Sequence, residues 1–338
     1  MFRSGPVQST AAITAIGAYL PSRILTNDDL AQMVDTNDEW IVQRTGIRER
    51  RIAAEHEYCT DLAIAAVRDL ATRHHADLAD VDYILTATST PDTVFPSVSA
   101  RVQAAFGIQA AGAIDLQAAC AGFVSALQTA NALILSGLHR KILVVGAETL
   151  SKVTDYTDRT TCILFGDGAS AVLVEAVQPG EAGAFIGSTV STQGESGHHL
   201  YRSALSPAIG EHAVHMNDRI VQNGREVFKW AVSQVSEGVA HLLESCSLTA
   251  GDITWFVPHS ANIRIVQAIC ERTGIPLDAT LTSIETCGNT SAASIPLAMY
   301  AAVQDGRLKA GDKLLLYGFG GGLTQAGLLL EWRLQVQE

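Results

Sequence analysis

Continuous apolar runs of strand length recur along the chain. Residues 81–89 (VDYILTATS) and 141–149 (KILVVGAET) lack the alternation of a half-exposed strand. Such runs are typical of strands that are buried on both faces of a sheet. Between them, residues 113–116 predict a short strand followed by a tight turn. A long helix is then expected to begin at about Cys120.

The segment from Leu116 to Gly137 contains no charged residue. It is long enough to cross a membrane, but Asp115 and His139 flank it and several polar residues interrupt it. We therefore interpret it as a core helix that is covered on all sides. The interrupting residues are Gln117, Ser125, Gln128, Thr129 and Asn131.

The second half of the chain repeats this pattern at an offset of 172 residues. The run that starts at Val81 corresponds to ITWFV at 253–257, and Lys141 corresponds to Lys313. At the same offset, Cys120 corresponds to Ala292, which also opens a helix rich in small residues. The repeat predicts a duplicated βαβαβ unit whose two central helices lie side by side about a pseudo-twofold axis.

This repeat defines the predicted fold class and domain organisation. We expect an α/β fold with two pseudo-twofold-related halves. Residues 1–176 form the N-terminal half, which carries Cys120. Residues 177–222, which are weakly periodic, form a connection and a pocket wall, and residues 223–338 form the C-terminal half.

Composition narrows the class of partner. The chain has 338 residues, of which 47% are hydrophobic and 17% are charged, and its net charge is −12. An acidic protein of this kind is not expected to bind nucleic acid or an anionic membrane without a local basic patch. The N-terminal residues show no signal-peptide pattern, so we expect a cytoplasmic protein.

The six cysteines form no CxxC pair, and their spacing matches neither a zinc site nor a dense disulfide framework. Reduced thiols are the simpler interpretation. The adjacent pair His198 and His199 lacks a further ligand at suitable spacing, so we predict no metal site.

Cys120 has two interpretations. A free cysteine is usually a small core residue, and this stretch alone favours that interpretation. A cysteine at a helix N-terminus also meets free backbone N–H groups and the positive end of the helix dipole, which favour the nucleophilic thiolate. The repeat supports the second interpretation, because it brings Asn289 near Cys120 and places His259 at the carboxyl end of a buried strand.

Cys120, His259 and Asn289 are compatible with two reactions. In a hydrolase, Asn289 would orient the ring of His259 beside the nucleophile. In a decarboxylative condensation, His259 and Asn289 would both donate hydrogen bonds to one developing oxyanion while the cysteine carries an acyl group. The spacing of the three residues does not choose between these reactions. The glycine-rich stretch 318–332 lacks the lysine of a phosphate loop, and its glycines would let the backbone approach a ligand closely.

Six motifs in order give the chain a specific resemblance. They are DTNDEWIVQRTGIRERRIA, AACAGF, DYTDRTT with LFGDGA, VPHSANIRI, GNTSAAS and GFGGGLT. Together they resemble β-ketoacyl-acyl-carrier-protein synthase III, the initiating condensing enzyme of bacterial type II fatty-acid synthesis, over residues 13–332. VPHSAN and DYTDRTT are most similar to the Bacillus-type branch. The resemblance implies a duplicated thiolase-like fold with five layers, αβαβα.

The resemblance also implies the roles of the central residues. Cys120 would take the acyl group from acyl-CoA, and the N–H groups of Cys120 and Gly321 would form the oxyanion hole. His259 and Asn289 would bind the malonyl thioester carbonyl during decarboxylation. Phe319 would line the acyl pocket. No cofactor is implied, because the CoA thioester and the carrier protein's phosphopantetheine are substrates.

The partners implied are acyl-CoA and the acidic acyl carrier protein. Trp40 and Arg159 would sandwich the CoA adenine, with Arg44 nearby and Asn262 along the pantetheine tunnel. The resemblance also implies a homodimer, which would place Phe95 in the primer pocket of the partner subunit. The carrier protein would dock on a local basic patch that consists of Ser260, Ala261, Asn262, Ile263, Arg264, Lys229 and Arg225.

The motifs do not determine which acyl-CoA serves as the primer. Residues 177–222 shape the acyl pocket in the family and match no motif. The Bacillus-type resemblance suggests branched primers. A specialised condensing enzyme with another acyl donor or acceptor and a thioester hydrolase are the alternatives.

Overall fold

The computed structural model describes residues 2–334. Its first five-stranded sheet carries the buried strands predicted in the first half. Two parallel strand pairs sit at one side of this sheet, and two antiparallel pairs complete it. In spatial order the strands are β2 (Ala11–Tyr19), β8 (Asp167–Ala176), β7 (Lys141–Thr149), β5 (Tyr83–Ala87) and β6 (Gly112–Leu116).

Four strands of the second five-stranded sheet repeat the order of their equivalents β2, β8, β7 and β5, and one further strand is added at an edge. This sheet contains one parallel pair, and its other pairs are antiparallel. In spatial order the strands are β1 (Arg3–Pro6), β9 (Phe185–Thr192), β16 (Thr324–Glu331), β15 (Lys313–Gly320) and β14 (Trp255–Pro258).

The helices complete five layers in the order αβαβα. Helices α3 (Cys59–His74) and α4 (Val98–Phe106) cover the outer face of the first sheet. The second sheet is covered on its outer face by α6 (Gly224–Ser245) and α7 (Ile263–Thr273). Between the sheets lie α5 (Gly122–Leu135) and α9 (Ser294–Gln304), whose side chains join both sheets in one apolar core.

Shorter elements surround this core. The segment 177–222 contributes β9 to the second sheet, and β1 comes from the N-terminus, so that sheet extends beyond residues 223–338. The division into residues 1–176, 177–222 and 223–338 stays a prediction about folding units. The remaining elements are β3 (Arg23–Thr26), α1 (Asn27–Ala31), α2 (Asp38–Thr45), β4 (Glu49–Ile52), β10 (Leu200–Arg202), β11 (Ala208–Ile209), β12 (His212–Ala213), β13 (Ile220–Gln222) and α8 (Ile284–Cys287).

The predicted repeat is present in three dimensions. Two short 3-10 turns precede the central helices: turn A is Ala119–Ala121 and turn B is Ser291–Ala293. Each turn begins with a non-glycine residue of positive φ, 43° at Ala119 and 45° at Ser291. These two residues are 172 positions apart, so the two halves share even this unusual backbone geometry.

Strand β7 contacts turn B, and strand β15 contacts turn A, so each strand packs against a turn of the opposite half. A Cβ atom on Gly146 of β7 would lie 2.6 Å from the Ala292 carbonyl oxygen, and one on Gly318 of β15 would lie 2.7 Å from the Ala121 Cα. Gly146 and Gly318 are also 172 positions apart. Glycine is required at both positions because backbone approaches backbone directly.

The segment before β8 contacts the second half of the chain. Residues 162–166 are irregular, and β8 starts at Asp167. Within the irregular segment, Phe165 forms an isolated parallel bridge with Asn289. The central helix starts at Gly122 rather than at Cys120, which lies in turn A.

The long uncharged segment lies largely in the core, but it is not covered on all sides, because its end from Leu135 to Gly137 is exposed. In α5, Phe123, Val124 and Leu127 are fully buried. Within residues 2–334, no helix is both long enough and apolar enough to span a membrane.

Candidate active site

A cavity of about 450 Å³ reaches from the protein surface to the two turns between the sheets. Its inner end is lined by Cys120, His259 and Asn289, the three residues that the sequence brought together. His259 is 1% exposed and Asn289 is 7% exposed. At the outer end, the exposed Arg44 and Arg264 line the same cavity. One channel therefore connects charged surface groups with the half-buried thiol of Cys120.

Cys120 owes its free space to a glycine of the opposite half. A Cβ atom on Gly320, the last residue of β15, would lie 2.9 Å from both the Sγ and the Cβ atoms of Cys120. Any side chain at that position would overlap with the thiol. Gly321, the predicted oxyanion-hole residue, follows directly and lies against Ala119, 3.4 Å from its Cβ by the same measure.

The prediction that the helix N-terminus favours the thiolate of Cys120 is wrong for the resting site. Burial raises the pKa of this thiol to about 12. Cys120 also precedes α5 by two residues, which takes it out of the first helical turn. The thiol therefore carries its proton at neutral pH until a substrate enters.

His259 is held from both sides. Its backbone N–H donates to the Tyr317 carbonyl oxygen at 2.8 Å, which fixes it at the end of β14. Its Nδ1 lies 2.7 Å from the Ser294 Oγ, and its ring meets Phe319 edge to face at a centroid distance of 5.4 Å. Burial lowers the pKa of His259 to about 3, so its imidazole is neutral across the physiological range.

The partner of Nδ1 bears on the tautomer of His259. The Ser294 Oγ accepts a hydrogen bond from the Ser260 N–H at 3.3 Å. If the Ser294 hydroxyl donates its own hydrogen to Nδ1, the hydrogen of the ring lies on Nε2, and His259 can then donate one hydrogen bond into the cavity that it lines.

Asn289 is positioned by the irregular segment 162–166. Its N–H donates to the Leu164 carbonyl oxygen at 2.8 Å, and its own carbonyl oxygen accepts from the Gly166 N–H at 3.0 Å. The side-chain Oδ1 accepts from the Ser291 N–H at 2.9 Å. Because the amide oxygen is used in this way, the amide NH₂ group is left for the cavity.

Trp40 forms a flat surface at the outer end of the cavity. The guanidinium carbon of Arg159 lies 5.2 Å from the centroid of its ring, and that of Arg44 lies 5.7 Å away. Asn262 lies between this end and His259, and its Oδ1 accepts from the Arg264 N–H at 2.9 Å, which caps α7. The residues expected to contact CoA therefore lie close to one channel: Trp40, Arg44 and Asn262 line it, and Arg159 lies over the ring of Trp40.

The residues expected to contact the carrier protein differ in exposure. Arg264, Arg225 and Lys229 are exposed, and Lys229 forms an ion pair with Glu226 at 2.9 Å. Ala261 and Ile263 are half-buried.

The assignment of Ser260 to this surface is wrong. Ser260 is fully buried, and its Oγ accepts from the Ser283 N–H at 3.0 Å. A protein partner cannot reach a side chain that is enclosed in this way. Ser260 instead ties the strand end next to His259 to the segment that leads to Asn289.

The two residues assigned to the acyl pocket lie in different places. Phe319 is 2% exposed and lines the cavity beside His259. Phe95 is 85% exposed and projects from the surface of this chain, as does Val94. Phe95 therefore does not line the pocket of its own chain, which agrees with its expected place in a partner subunit.

Two functional candidates were missed from the sequence. Ser291 lines the same cavity as Cys120, and Glu148 is a fully buried carboxylate near the end of β7, the strand that packs on turn B. A signal for Ser291 was present, because the offset of 172 pairs it with Ala119, the neighbour of Cys120. Among residues 2–334, no group of three metal-binding side chains comes together.

Comparisons with known proteins identify the class and then the family. The solved structure of a β-ketoacyl-[acyl-carrier-protein] synthase III from Thermus thermophilus superposes with a TM-score of 0.89 at 46% identity and covers 95% of this chain and 99% of its own. The fold and the half-buried thiol of Cys120 between the two sheets thus define a condensing enzyme of the thiolase type, which transfers acyl groups.

Models of the 3-oxoacyl-[acyl-carrier-protein] synthase III family match residues 114–194, and those of its C-terminal part match residues 243–332. The chain belongs to this family. The synthase III 2 of Bacillus cereus is 54% identical over 97% of this chain and 100% of its own length. That of Bacillus subtilis is 54% identical over 96% and 99%. These relatives confirm the expected Bacillus-type branch.

Proposed function

We propose that the protein condenses an acyl-CoA primer with malonyl-acyl-carrier protein, giving 3-oxoacyl-acyl-carrier protein, CO₂ and CoA. The observation that carries this proposal is the joint position of Cys120, His259 and Asn289 at the closed end of one cavity. This reaction would start type II fatty-acid synthesis in the cytoplasm. It uses thioesters as substrates and no further cofactor.

In the first half-reaction, the sulfur of Cys120 attacks the carbonyl carbon of acyl-CoA. A new thioester forms, the bond to the CoA sulfur breaks, and the thiol proton ends on CoA. The N–H groups of Cys120 and Gly321 are proposed to hold the oxyanion, since Gly321 lies against turn A. Donors aimed at such an oxygen act mainly on the transition state.

In the second half-reaction, two neutral donors act on the malonyl thioester. The Nε2–H of His259 and the NH₂ group of Asn289 would both donate to its carbonyl oxygen. As CO₂ leaves, the electrons of the broken C–C bond pass into an enolate that these donors stabilise. The enolate carbon attacks the acyl group, and Cys120 leaves and recovers a proton. A histidine that stays neutral suits this task, because it donates without a charge that would attract the malonyl carboxylate.

The outer end of the channel suits a CoA thioester. Trp40 offers a flat ring between two guanidinium groups, a suitable site for the adenine ring and its phosphates. Asn262 lies on the way from there to Cys120, where the pantetheine chain would run.

The carrier protein would dock beside this opening. Arg264 and Arg225 are exposed cations in a chain whose net charge is −12, and Arg264 lines the cavity itself. A local basic surface next to the channel would attract an acidic carrier protein and guide its phosphopantetheine inward. Lys229 contributes less, because Glu226 neutralises part of its charge.

A second copy of this chain would cover the apolar surface around Phe95. Val94, Phe95 and Leu205 are between 85% and 97% exposed, and Ile114 on the sheet-edge strand β6 is 40% exposed. Exposed apolar side chains of this size beside a sheet edge mark an interaction surface. In the proposed homodimer, Phe95 would reach the primer pocket of the partner subunit.

The proposal is tested with purified substrates. The enzyme is incubated with isobutyryl-CoA or acetyl-CoA and its intact mass is measured; malonyl-acyl-carrier protein is then added, and CO₂ and the 3-oxoacyl product are quantified. We expect an acyl adduct that is absent in Cys120→Ser, followed by condensation. Free acid without CO₂ would indicate a thioester hydrolase instead. Condensation with malonyl-CoA but not with malonyl-carrier protein would exclude the initiating role.

A further inference from the structure

Four arginines lie within residues 44–51, and one of them is fully buried. Arg50 on β4 is 0% exposed, whereas Arg44 and Arg48 are exposed. Burial lowers the pKa of Arg50 to about 10, so its guanidinium keeps its charge at neutral pH. A buried charge destabilises a fold unless hydrogen bonds compensate it, and an apolar residue of similar volume is often at least as stable. Stability alone therefore does not require an arginine at this position.

The guanidinium of Arg50 bonds to two neutral amide oxygens. Its Nε and Nη2 donate to the Ile163 carbonyl oxygen at 3.0 and 2.5 Å, and its Nη1 donates to the Oδ1 of Asn27 at 2.6 Å. The amide of Asn27 is oriented by its other end, because its Nδ2 donates to the Ile47 carbonyl oxygen at 2.8 Å. The planar guanidinium thus joins Asn27 to the irregular segment 162–166.

The stem of Arg50 packs against both chain segments that meet at Asn289. A Cβ atom on Gly288 would lie 2.9 Å from the Cγ of Arg50, and one on Gly166 would lie 3.3 Å from its Cβ. Gly288 directly precedes Asn289, and the Gly166 N–H donates to the Asn289 carbonyl oxygen at 3.0 Å. Arg50 therefore lies against both partners of the backbone bridge that Phe165 forms with Asn289.

The hydrogen bonds of Arg50 and those of Asn289 meet on one short segment. Arg50 holds the carbonyl oxygen of Ile163, and the carbonyl oxygen of the next residue, Leu164, accepts the Asn289 N–H at 2.8 Å. Ile163, Leu164 and Phe165 also line the channel. A segment without helix or strand bonds depends on such side-chain donors for its position.

We propose that Arg50 is a positioning residue that fixes the segment 162–166 and thereby places Asn289 for the decarboxylation of the malonyl thioester. Two N–H groups of its planar fork hold one carbonyl oxygen while a third is bound to Asn27, which a lysine ammonium does not reproduce. The donor of Asn289 acts only if it is aimed at the developing oxyanion. This inference rests on the proposed role of Asn289 as that donor.

Cys120 is supported by a different part of the fold. Turn A packs against β15, where a Cβ atom on Gly318 would lie 2.8 Å from the Cys120 carbonyl oxygen and one on Gly320 would lie 2.9 Å from its Sγ. A change at Arg50 should therefore affect the step that uses Asn289 and spare the acylation of Cys120. A general loss of structure would affect both steps.

The test separates the two half-reactions in Arg50→Met and Arg50→Lys. The first variant keeps an unbranched stem without the donors, and the second keeps the charge without the planar fork. Intact mass at saturating isobutyryl-CoA measures the acyl adduct, and CO₂ release from malonyl-acyl-carrier protein measures decarboxylation by the acylated enzyme. We expect a normal adduct in both variants. Decarboxylation should fall about tenfold or more in Arg50→Met and less in Arg50→Lys, since misplacement by about 1 Å costs up to about a hundredfold.

Arg48→Met is the matched control from the same segment. Arg48 forms an ion pair at 2.8 Å with Glu285 of α8, the helix that leads to Asn289, but both side chains are exposed. Exposed ion pairs contribute little. The backbone bond from the Arg48 N–H to the Glu285 carbonyl oxygen, at 2.9 Å, does not depend on the side chain. Both half-reactions should therefore proceed as in the parent enzyme.

Three results would overturn the inference. Decarboxylation at the parent's rate in Arg50→Met would show that Asn289 is placed without Arg50. A parent-like Arg50→Lys beside an impaired Arg50→Met would assign the effect to charge. Equal loss of adduct and decarboxylation in both variants, or failure of both to fold, would show a general structural role. Decarboxylation that persists in Asn289→Ala would instead overturn the proposed role of Asn289, so the two failures are distinguishable.

Discussion

Gly320 faces Cys120 so closely that a methyl group on its Cα would come within 2.9 Å of the Sγ atom. Gly320→Ala should therefore displace the thiol and slow acyl-enzyme formation at least about tenfold, since overpacking of this kind costs 1–3 kcal/mol. Intact mass after incubation with acyl-CoA measures the adduct. Gly251→Ala serves as the control, because a Cβ there meets only the Thr249 hydroxyl at 3.8 Å. A normal adduct in Gly320→Ala would show that the site can relax.

Ser294 should matter for decarboxylation and not for acylation. Its hydroxyl is 2.7 Å from the Nδ1 of His259 and holds the ring in its orientation. In Ser294→Ala we expect malonyl decarboxylation to fall about tenfold or more, in line with 1–3 kcal/mol for a lost buried partner, while the acyl adduct forms normally. Ser236→Ala, which removes another buried serine hydroxyl from α6, should affect neither step. Equal loss of both steps would contradict this division.

Substitution of Trp40 should change the KM for acyl-CoA and leave that for malonyl-carrier protein unchanged. Only the CoA ester carries an adenine, so Trp40→Ala should raise the KM for acyl-CoA about tenfold, given 0.5–1 kcal/mol for each exposed cation–π contact and the lost stacking. The KM for malonyl-carrier protein should stay unchanged. Tyr58→Ala provides the comparison, because its ring contacts Lys152 at 4.5 Å outside the cavity. A similar rise for both substrates would place Trp40 in a general structural role.

Substitution of Arg264 should change the KM for malonyl-carrier protein more than that for acyl-CoA. Arg264→Glu changes the charge of the proposed docking surface by two units, and rim charges act mainly on association with a charged partner. We expect a several-fold rise in the KM for malonyl-carrier protein that shrinks as salt is added, with a smaller effect on acyl-CoA. Arg68→Glu makes the same charge change on α3, in the opposite half of the chain, and should leave both values near those of the parent.

His259 should make the fold sensitive to acid. Its pKa is lowered from 6.5 to about 3 by burial, so the unfolded chain binds a proton below pH 6.5 that the folded protein does not. This contribution to stability is present above pH 6.5 and is lost as the pH falls toward 3. Between pH 6.5 and 5, the free energy of unfolding should fall by about 2 kcal/mol more than in His259→Gln. Urea titrations measure the difference, and His241→Gln, at an exposed site, should behave like the parent.

The larger architecture could be predicted from the sequence because the two halves repeat the same pattern of buried strands at an offset of 172 residues. The pairing of Cys120 with Ala292 followed from strand positions alone, and the structure places both in the matching turns A and B. The repeat does not show how deeply each side chain is buried. Ser260 was expected on the surface because the resemblance assigns the segment after His259 to carrier-protein docking, yet the Ser260 side chain is completely buried.

The charge state of the site was beyond the sequence for a related reason. The helix N-terminus suggested a thiolate at Cys120, but desolvation depends on how much protein surrounds the sulfur, and burial raises the pKa of this thiol. Glu148 was not recognised because it lies at the end of an apolar strand with no partner nearby in the chain. Its hydrogen-bond donors come from residues 88–90, which only folding brings close to it.

Gly146 and Gly318 also constrain how the gene can drift. Each glycine lies against the backbone of a turn that belongs to the other half, so a change in one half would be felt in the other. A substitution at Gly146, which lines no part of the channel, would push against turn B and thereby against Asn289 and Ser291. The half that carries Ala292 instead of a cysteine thus shares the backbone geometry of the half that carries Cys120.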